Sequence, residues 1–142
     1  MRKAPLFLAA TIILLAASAA FSQTDAGPIR SSPAYAEILL RKTELLADLD
    51  AFSEQYTEQN PKIVDLRFEL AALDKSLEKV YGVKPSETGK LTLALGKLII
   101  KKAEFETTLN RLTRSYNKDH PEVKRARRRV AIFENSINEI LK

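Results

Sequence analysis

The densest group of residues that could do chemistry is a basic run near the end of the chain, made of Lys124, Arg125, Arg127, Arg128 and Arg129. Five cations on one predicted helix would attract phosphate headgroups, acidic polysaccharide, lipopolysaccharide or nucleic acid. Nucleic acid fits least, because no aromatic residues are interleaved as stacking platforms for bases. The other interpretation, which we favour, is a solvated helix face whose cations pair with the more acidic first half of the chain.

Residue types that support catalysis or metal binding are sparse. His120 is the single histidine and cysteine is absent, so the chain lacks the partners for a zinc site or a catalytic triad. Carboxylates such as Glu104 and Glu106 are two residues apart, and residues at that spacing do not face each other on a helix. The sequence has no glycine-rich phosphate loop and no serine nucleophile motif. We therefore expect no enzymatic activity, cofactor or metal.

The elements that position these residues are four amphipathic helices. Apolar residues recur at alternating steps of three and four, as in Leu66, Leu70 and Leu73. A proline interrupts each pair of stripes, and proline cannot continue a helix but suits the first position of a new one. A short break of this kind favours an antiparallel hairpin over one long kinked helix. The predicted hairpin turns contain Tyr56, Asn60, Pro61, Tyr116, His120 and Pro121.

The two predicted hairpins resemble each other in sequence. Residues 40–82 align without a gap on residues 100–142, and the identical pairs include both the tyrosine and the proline of each turn. Any two heptad sequences align to some degree, but a shared tyrosine–proline spacing is not a heptad property. The predicted fold is therefore all-α, with two antiparallel coiled-coil hairpins that form a tandem repeat of about 60 residues. Packing of the hairpins as a four-helix bundle is one option.

The beginning of the chain has the composition of an export signal. Arg2 and Lys3 precede an uncharged apolar run, and Ser22 ends a short segment suited to signal peptidase. Cleavage there would make the protein periplasmic or secreted. The alternative is an uncleaved inner-membrane anchor over residues 4–22, which is just long enough to cross a bilayer.

Composition also divides the chain into segments. Glycine, proline and serine mark the irregular stretches, and the apolar stripes mark the helical ones. The expected segments are a signal peptide at 1–22, a flexible leader at 23–32, hairpin 1 at 33–82, a linker at 83–89 and hairpin 2 at 90–142.

Two lysines interrupt the apolar stripes at matching positions. Lys42 and Lys102 could fix the register and the number of partner helices, as polar residues in coiled-coil seams do. The alternative is that each side chain extends from the edge of the seam into water. If the first hairpin turns near residue 59, Lys42 should face Leu77.

The distribution of charge bears on assembly. Residues 23–82 contain 7 basic and 11 acidic residues, whereas residues 83–142 contain 14 basic and 7 acidic ones. Such halves can attract each other within one molecule or head-to-tail between molecules. Additional apolar residues beside the stripes indicate that the hairpins pack on each other or oligomerise; these are Leu39, Leu40, Leu46, Leu93, Ile99 and Ile100.

The segment from Tyr56 through Asn60, Pro61 and Ile63 to Leu73 resembles a known pattern. It is similar to the periplasmic coiled-coil segment of polysaccharide co-polymerases, the chain-length determinant proteins of bacterial exopolysaccharide and O-antigen export. The stretch 116–123, with its His-Pro pair, fits the same pattern more closely. The resemblance implies a shared hairpin architecture and a link to polysaccharide export.

Together these features predict an exported structural or interaction protein that self-associates or docks on a cell-envelope complex. One alternative is a periplasmic helical chaperone or stress sensor, which requires a broad exposed apolar groove. Another is a binder of anionic polysaccharide or lipopolysaccharide through the basic last helix. The expected partners are a second copy or an envelope complex, not nucleic acid, and a membrane only if the signal segment is uncleaved.

Overall fold

A computed structural model of the protein describes residues 27–142, and this part of the chain is all-α, which confirms the predicted fold class. The expected signal peptide and residues 23–26 lie outside the described range. The helices are α1 (Gly27–Arg30), α2 (Pro33–Ser53), α3 (Pro61–Tyr81), a 3₁₀ helix (Pro85–Lys90), α4 (Leu93–Ser115) and α5 (Pro121–Leu141).

A side-chain cap marks the start of each long helix. The hydroxyls of Ser32 and Thr92 each accept a hydrogen bond of 3.3 Å from the backbone amide three residues later. At α3 and α5, Asn60 Oδ1 and His120 Nδ1 accept from the amide two residues later, at 2.9 and 3.3 Å. Such caps satisfy amide groups that have no partner within the helix. His120 is therefore part of a helix cap.

The long helices form two hairpins, α2–α3 and α4–α5, that share a core. Helix α4 packs against α2, α3 and α5, whereas α5 packs mainly against α4. The main core is one cluster to which α2, α3 and α4 contribute most, because Leu45 of α2 and Leu73 of α3 are buried together with Ile99 of α4, and Ile137 of α5 joins them. Helix α4 thus lies on the first hairpin and carries α5 on its other side.

Helices α2 and α4 run parallel and in register. The amide of Ala34, at the start of α2, donates a 3.2 Å hydrogen bond to the carbonyl of Leu91, just before α4. Gly96 makes the close approach possible, because a Cβ there would lie 3.0 Å from the Cα and the carbonyl oxygen of Ala34. Glycine at this position is therefore required by the distance between the helices.

Two segments that we expected to be irregular contribute to the fold. Residues 23–32 were predicted as a flexible leader, but 27–30 form α1, and Ile29 is buried in the core. The predicted linker, 83–89, overlaps the 3₁₀ helix, against which α1 packs. Leu91 is buried in the core before α4 begins at Leu93. Glycine and proline indicate where helices stop, but they do not show whether the connecting chain is packed.

Candidate functional site

The outward side of α2 is an apolar surface. Its residues lie on one side of the helix and are exposed: we define the α2 outer face as Ala36, Leu39, Thr43, Leu46 and Ala47. Leu39 is 48% exposed and Leu46 is 54% exposed. Within residues 27–142 no other helix covers these leucines. Large apolar side chains grouped on one exposed face are typical of an interaction surface.

Helix α4 buries most of the corresponding face, sixty positions later in the chain; the exception is Glu106, the counterpart of Leu46, which is only partly buried. Gly96, Ile99, Ala103 and Thr107 correspond to four residues of the α2 outer face, and all four are buried. Ile99 is only 1% exposed, whereas its counterpart Leu39 is 48% exposed. Helix α4 uses this face to pack on the first hairpin. The α2 outer face therefore has the pattern of a helix–helix contact that the described chain leaves open.

The second hairpin also has an incompletely covered side. Leu45 and Leu73 of the first hairpin are at most 1% exposed. Their counterparts sixty positions later, Phe105 and Phe133, are only half-buried and lie outside the main core. The two rings contact each other with centroids 5.1 Å apart, and the Arg129 guanidinium lies 5.7 Å from the Phe105 centroid. We define the α4–α5 face as Lys97, Lys101, Phe105, Arg125, Ala126, Arg129 and Phe133.

Ion pairs connect the two hairpins along α3. Asp65 of α3 contacts Arg114 of α4 and also Arg111, the latter at 3.5 Å. At the other end of α3, Lys79 pairs with Glu134 of α5. These contacts show how charge is matched where one hairpin meets the next.

Lys42 and Lys102 each join the two helices of their own hairpin. Lys42 pairs with Asp74 of α3, and Lys102 pairs with Glu134 of α5 at 3.1 Å. Lys102 also donates to Glu106 at 2.8 Å. Burial alone would lower the pKa of Lys102, but its hydrogen bonds to the two carboxylates outweigh burial and raise the pKa. The role of these lysines in setting register stays a prediction.

Glu134 accepts bonds from two cations at once. Partial burial alone would raise the pKa of the Glu134 carboxyl, but hydrogen bonds from Lys79 and Lys102 outweigh burial and lower it. Because Lys79 lies on α3 and Lys102 on α4, the Glu134 carboxylate links both hairpins. Its charge state is therefore coupled to folding.

We expect the stability contribution of Glu134 to be lost in acid. A carboxyl whose folded pKa lies below its unfolded value stabilises the fold above the unfolded pKa, about 4.3, and stops doing so as pH falls through the folded pKa. The difference in urea midpoint between wild type and Glu134→Gln should therefore shrink between about pH 7 and about pH 3. Glu139→Gln, on the exposed side of α5, should change stability by less than about 0.5 kcal/mol. A difference for Glu134→Gln that is the same at both pH values would contradict the coupling.

The basic run lies on the exposed side of α5. Lys124 contacts Asp119 at 3.6 Å and Arg125 contacts Glu122 at 3.2 Å, so both pair locally. In the described part of the chain, no ion pair joins the run, which also includes Arg127, Arg128 and Arg129, to the first hairpin. Pairing with the acidic half of the same molecule, which we had favoured, is therefore not seen, because α5 packs on α4 rather than on α2. An anion-binding or partner-binding role of these residues stays a prediction.

The predicted turn residues shape the hairpin ends. Pro61 and Pro121 begin α3 and α5 directly after the caps. The Tyr56 ring stacks on Phe52 with centroids 5.7 Å apart, and the Tyr116 ring stacks on His120 at 4.1 Å. These contacts are local and lie where the chain reverses.

Several residues at the hairpin junctions were not singled out from the sequence. Asp65 and Glu134 form ion pairs with residues on other helices. The rings of Phe105 and Phe133 are in contact because α4 and α5 are adjacent. A reversal of charge between positions sixty apart could have drawn attention to such residues, since the acidic Asp65 corresponds to the basic Arg125.

Metal binding and membrane spanning find no support in the described residues. No group of three or more His, Cys, Asp or Glu side chains in residues 27–142 is placed to hold a metal ion. None of the helices in this range combines the length and apolarity that crossing a bilayer requires. No protein family model, curated protein or solved structure matches the chain.

Proposed function

We propose that the protein is a non-catalytic helical-repeat scaffold that binds other protein chains through the ends of its hairpin stack. The observation that carries this proposal is the α2 outer face. It has the same position on its helix as the face that α4 buries, yet it is exposed. A face built for helix packing and left open in one molecule is a binding surface for another.

The tandem-repeat interpretation is supported by contacts that recur sixty positions apart. Ser32 and Thr92 cap their helices alike, and Lys42–Asp74 corresponds to Lys102–Glu134. In repeat proteins each unit contacts its neighbours, and an end unit needs a polar outer face to stay soluble alone. The leucines of the α2 outer face do not provide such a cap.

The proposed setting is the cell envelope. We infer export from the signal-like residues 1–22, and we infer the link to polysaccharide export from the sequence resemblance.

A chaperone function fits less well, because the groove between α2 and α4 is lined largely by charged residues, among them Glu37, Arg41, Lys97 and Lys101. Anion binding is a second candidate, because Arg127 and Arg128 are exposed on α5.

Site-specific photo-cross-linking in the cells that naturally make the protein tests the scaffold proposal. A photoreactive residue at position 39 or 46 should give protein adducts of defined mass, because both side chains lie on the open face. The same residue at Lys118, exposed in the α4–α5 turn, is the control and should give few adducts. Equal adduct yields at all three positions, or none at 39 and 46, would overturn the proposal.

A further inference from the structure

We infer that the occupant of the α2 outer face is a second copy of this chain, bound head-to-tail through its α4–α5 face. This inference rests on the scaffold function proposed above and specifies its partner. Within each molecule, α4 packs on the first hairpin. In the proposed arrangement, α2 of one copy packs in the same way on the second hairpin of the preceding copy.

The intramolecular junction provides the template. Helix α4 packs on both α2 and α3, and its Ile99 joins Leu45 and Leu73 in one cluster. Moving every position of this contact by sixty residues places Leu39 of the next copy over Phe105 and Phe133. Both sides of this second contact are present on every molecule.

Burial shows that both sides are incomplete in the single chain. Leu45 and Leu73 are covered by α4, whereas Phe105 and Phe133 remain half-buried. On the opposite end, Leu39 is exposed where Ile99 is covered. A head-to-tail contact would bury both sets of apolar atoms at once, which favours association by the hydrophobic effect.

Charge complementarity supports the same geometry, with the signs reversed. Within the chain, Asp65 on the first hairpin pairs with Arg114 of the incoming helix. The corresponding residues of the second contact are Arg125 on the α4–α5 face and Glu54 of the next copy. Both charges are reversed relative to the Asp65–Arg114 pair, so the two residues of the second contact still attract each other.

Two further positions follow this pattern. Glu37 and Lys97 line the same groove within the chain. In the second contact Lys97 of one copy meets Glu37 of the next, so opposite charges again face each other. Glu44 of the next copy likewise lies near Lys101, because Glu104 and Arg41 line the same groove within the chain. The acidic first half and the basic second half of the sequence are therefore the two sides of one interface.

Three positions weaken the second contact relative to the first. The Arg41–Glu69 pair of the first hairpin corresponds to Lys101 and Arg129, two cations that repel each other. The Lys79–Glu134 pair is replaced by Glu139 and Asp74 of the next copy, which repel each other at the rim. Gly96 is replaced by Ala36, and its Cβ requires a spacing wider by a few tenths of an ångström. We therefore expect an association that depends on concentration and salt. Because the two faces differ, the contact does not close as a dimer and can continue into longer chains.

Two variants with exposed substitutions test the head-to-tail geometry by sedimentation velocity of the purified chain at low salt. Leu39→Glu with Leu46→Glu disables the α2 outer face, and Lys97→Glu with Arg125→Glu disables the α4–α5 face, because both new carboxylates would face acidic residues of the next copy. Wild type should form dimers and longer species, and each variant alone should associate at least tenfold more weakly (about 1.4 kcal/mol). A mixture of the two variants should form a one-to-one dimer and nothing longer, because one intact face of each kind remains.

The outcomes separate this inference from the scaffold function. If the variant with Lys97→Glu and Arg125→Glu still forms dimers like wild type, the α4–α5 face is not the partner and the inference fails. If wild type stays monomeric while position 39 cross-links in cells to a protein of different mass, the inference fails and the scaffold function stands. If neither association nor adducts are seen, both fail. Unaltered helical circular dichroism and unfolding midpoint of each variant exclude loss of folding as the cause.

Discussion

Replacing Ile99 with alanine is expected to lower the free energy of unfolding by about 2–5 kcal/mol. Ile99 is 1% exposed and lies where α4 meets α2 and α3, so its truncation leaves a cavity that three helices border. The surrounding helices can collapse only in part, and the lost contacts add to the lost transfer free energy. Urea unfolding followed by circular dichroism would measure the change.

The matched control is Leu39→Ala, at the corresponding position of α2. Leu39 is exposed in the single chain, so its truncation should change the stability of the monomer by less than about 0.5 kcal/mol. Dilute protein should be used, so that any association does not contribute. Similar losses for Leu39→Ala and Ile99→Ala would mean that the two faces are equally covered, contrary to the structure.

Replacing Arg41 with methionine is expected to destabilise the protein by about 2–3 kcal/mol. Arg41 Nε and one terminal guanidinium nitrogen donate to Glu69 Oε1 at 2.9 and 2.7 Å. The Glu69 side chain is 10% exposed, so without Arg41 its carboxylate would be nearly buried without a cation. The urea midpoint at neutral pH would report the loss.

A double variant distinguishes the loss of a partner from the value of the pair. Arg41→Met with Glu69→Leu removes both charges and leaves apolar side chains of similar size, so its stability should return to within about 1 kcal/mol of wild type. If the double variant is as unstable as Arg41→Met alone, the destabilisation comes from lost packing rather than from an unpaired carboxylate.

Local signals made the helices predictable from the sequence. The three-four spacing of apolar residues and the two prolines are contained within a few turns of helix, so the all-α fold followed from them. The register was less certain, because we expected Lys42 to face Leu77, and it pairs with Asp74, one helical turn earlier. A residue on one helix can reach partners on several turns of its neighbour, and packing decides between them.

Contacts between the hairpins could not be predicted from one sequence. The spacing that marks Ile99 as apolar marks Leu39 equally, yet only Ile99 is covered. The difference arises because α4 has a preceding hairpin to pack on and α2, within the described chain, does not. Similarly, the breaker residues around Ile29 predicted a loose leader, although the side chain of Ile29 is buried against the core.

The parallel orientation of α2 and α4 gives the molecule two structurally different edges. Both hairpin turns lie on the same edge, where Tyr56 and Tyr116 are 48% and 46% exposed beside capped proline turns. The opposite edge carries α1 and the 3₁₀ helix. In a row of molecules joined as proposed, every copy would turn its two proline turns toward one border and its 3₁₀ helix toward the other, so the row would have two unlike sides along its whole length.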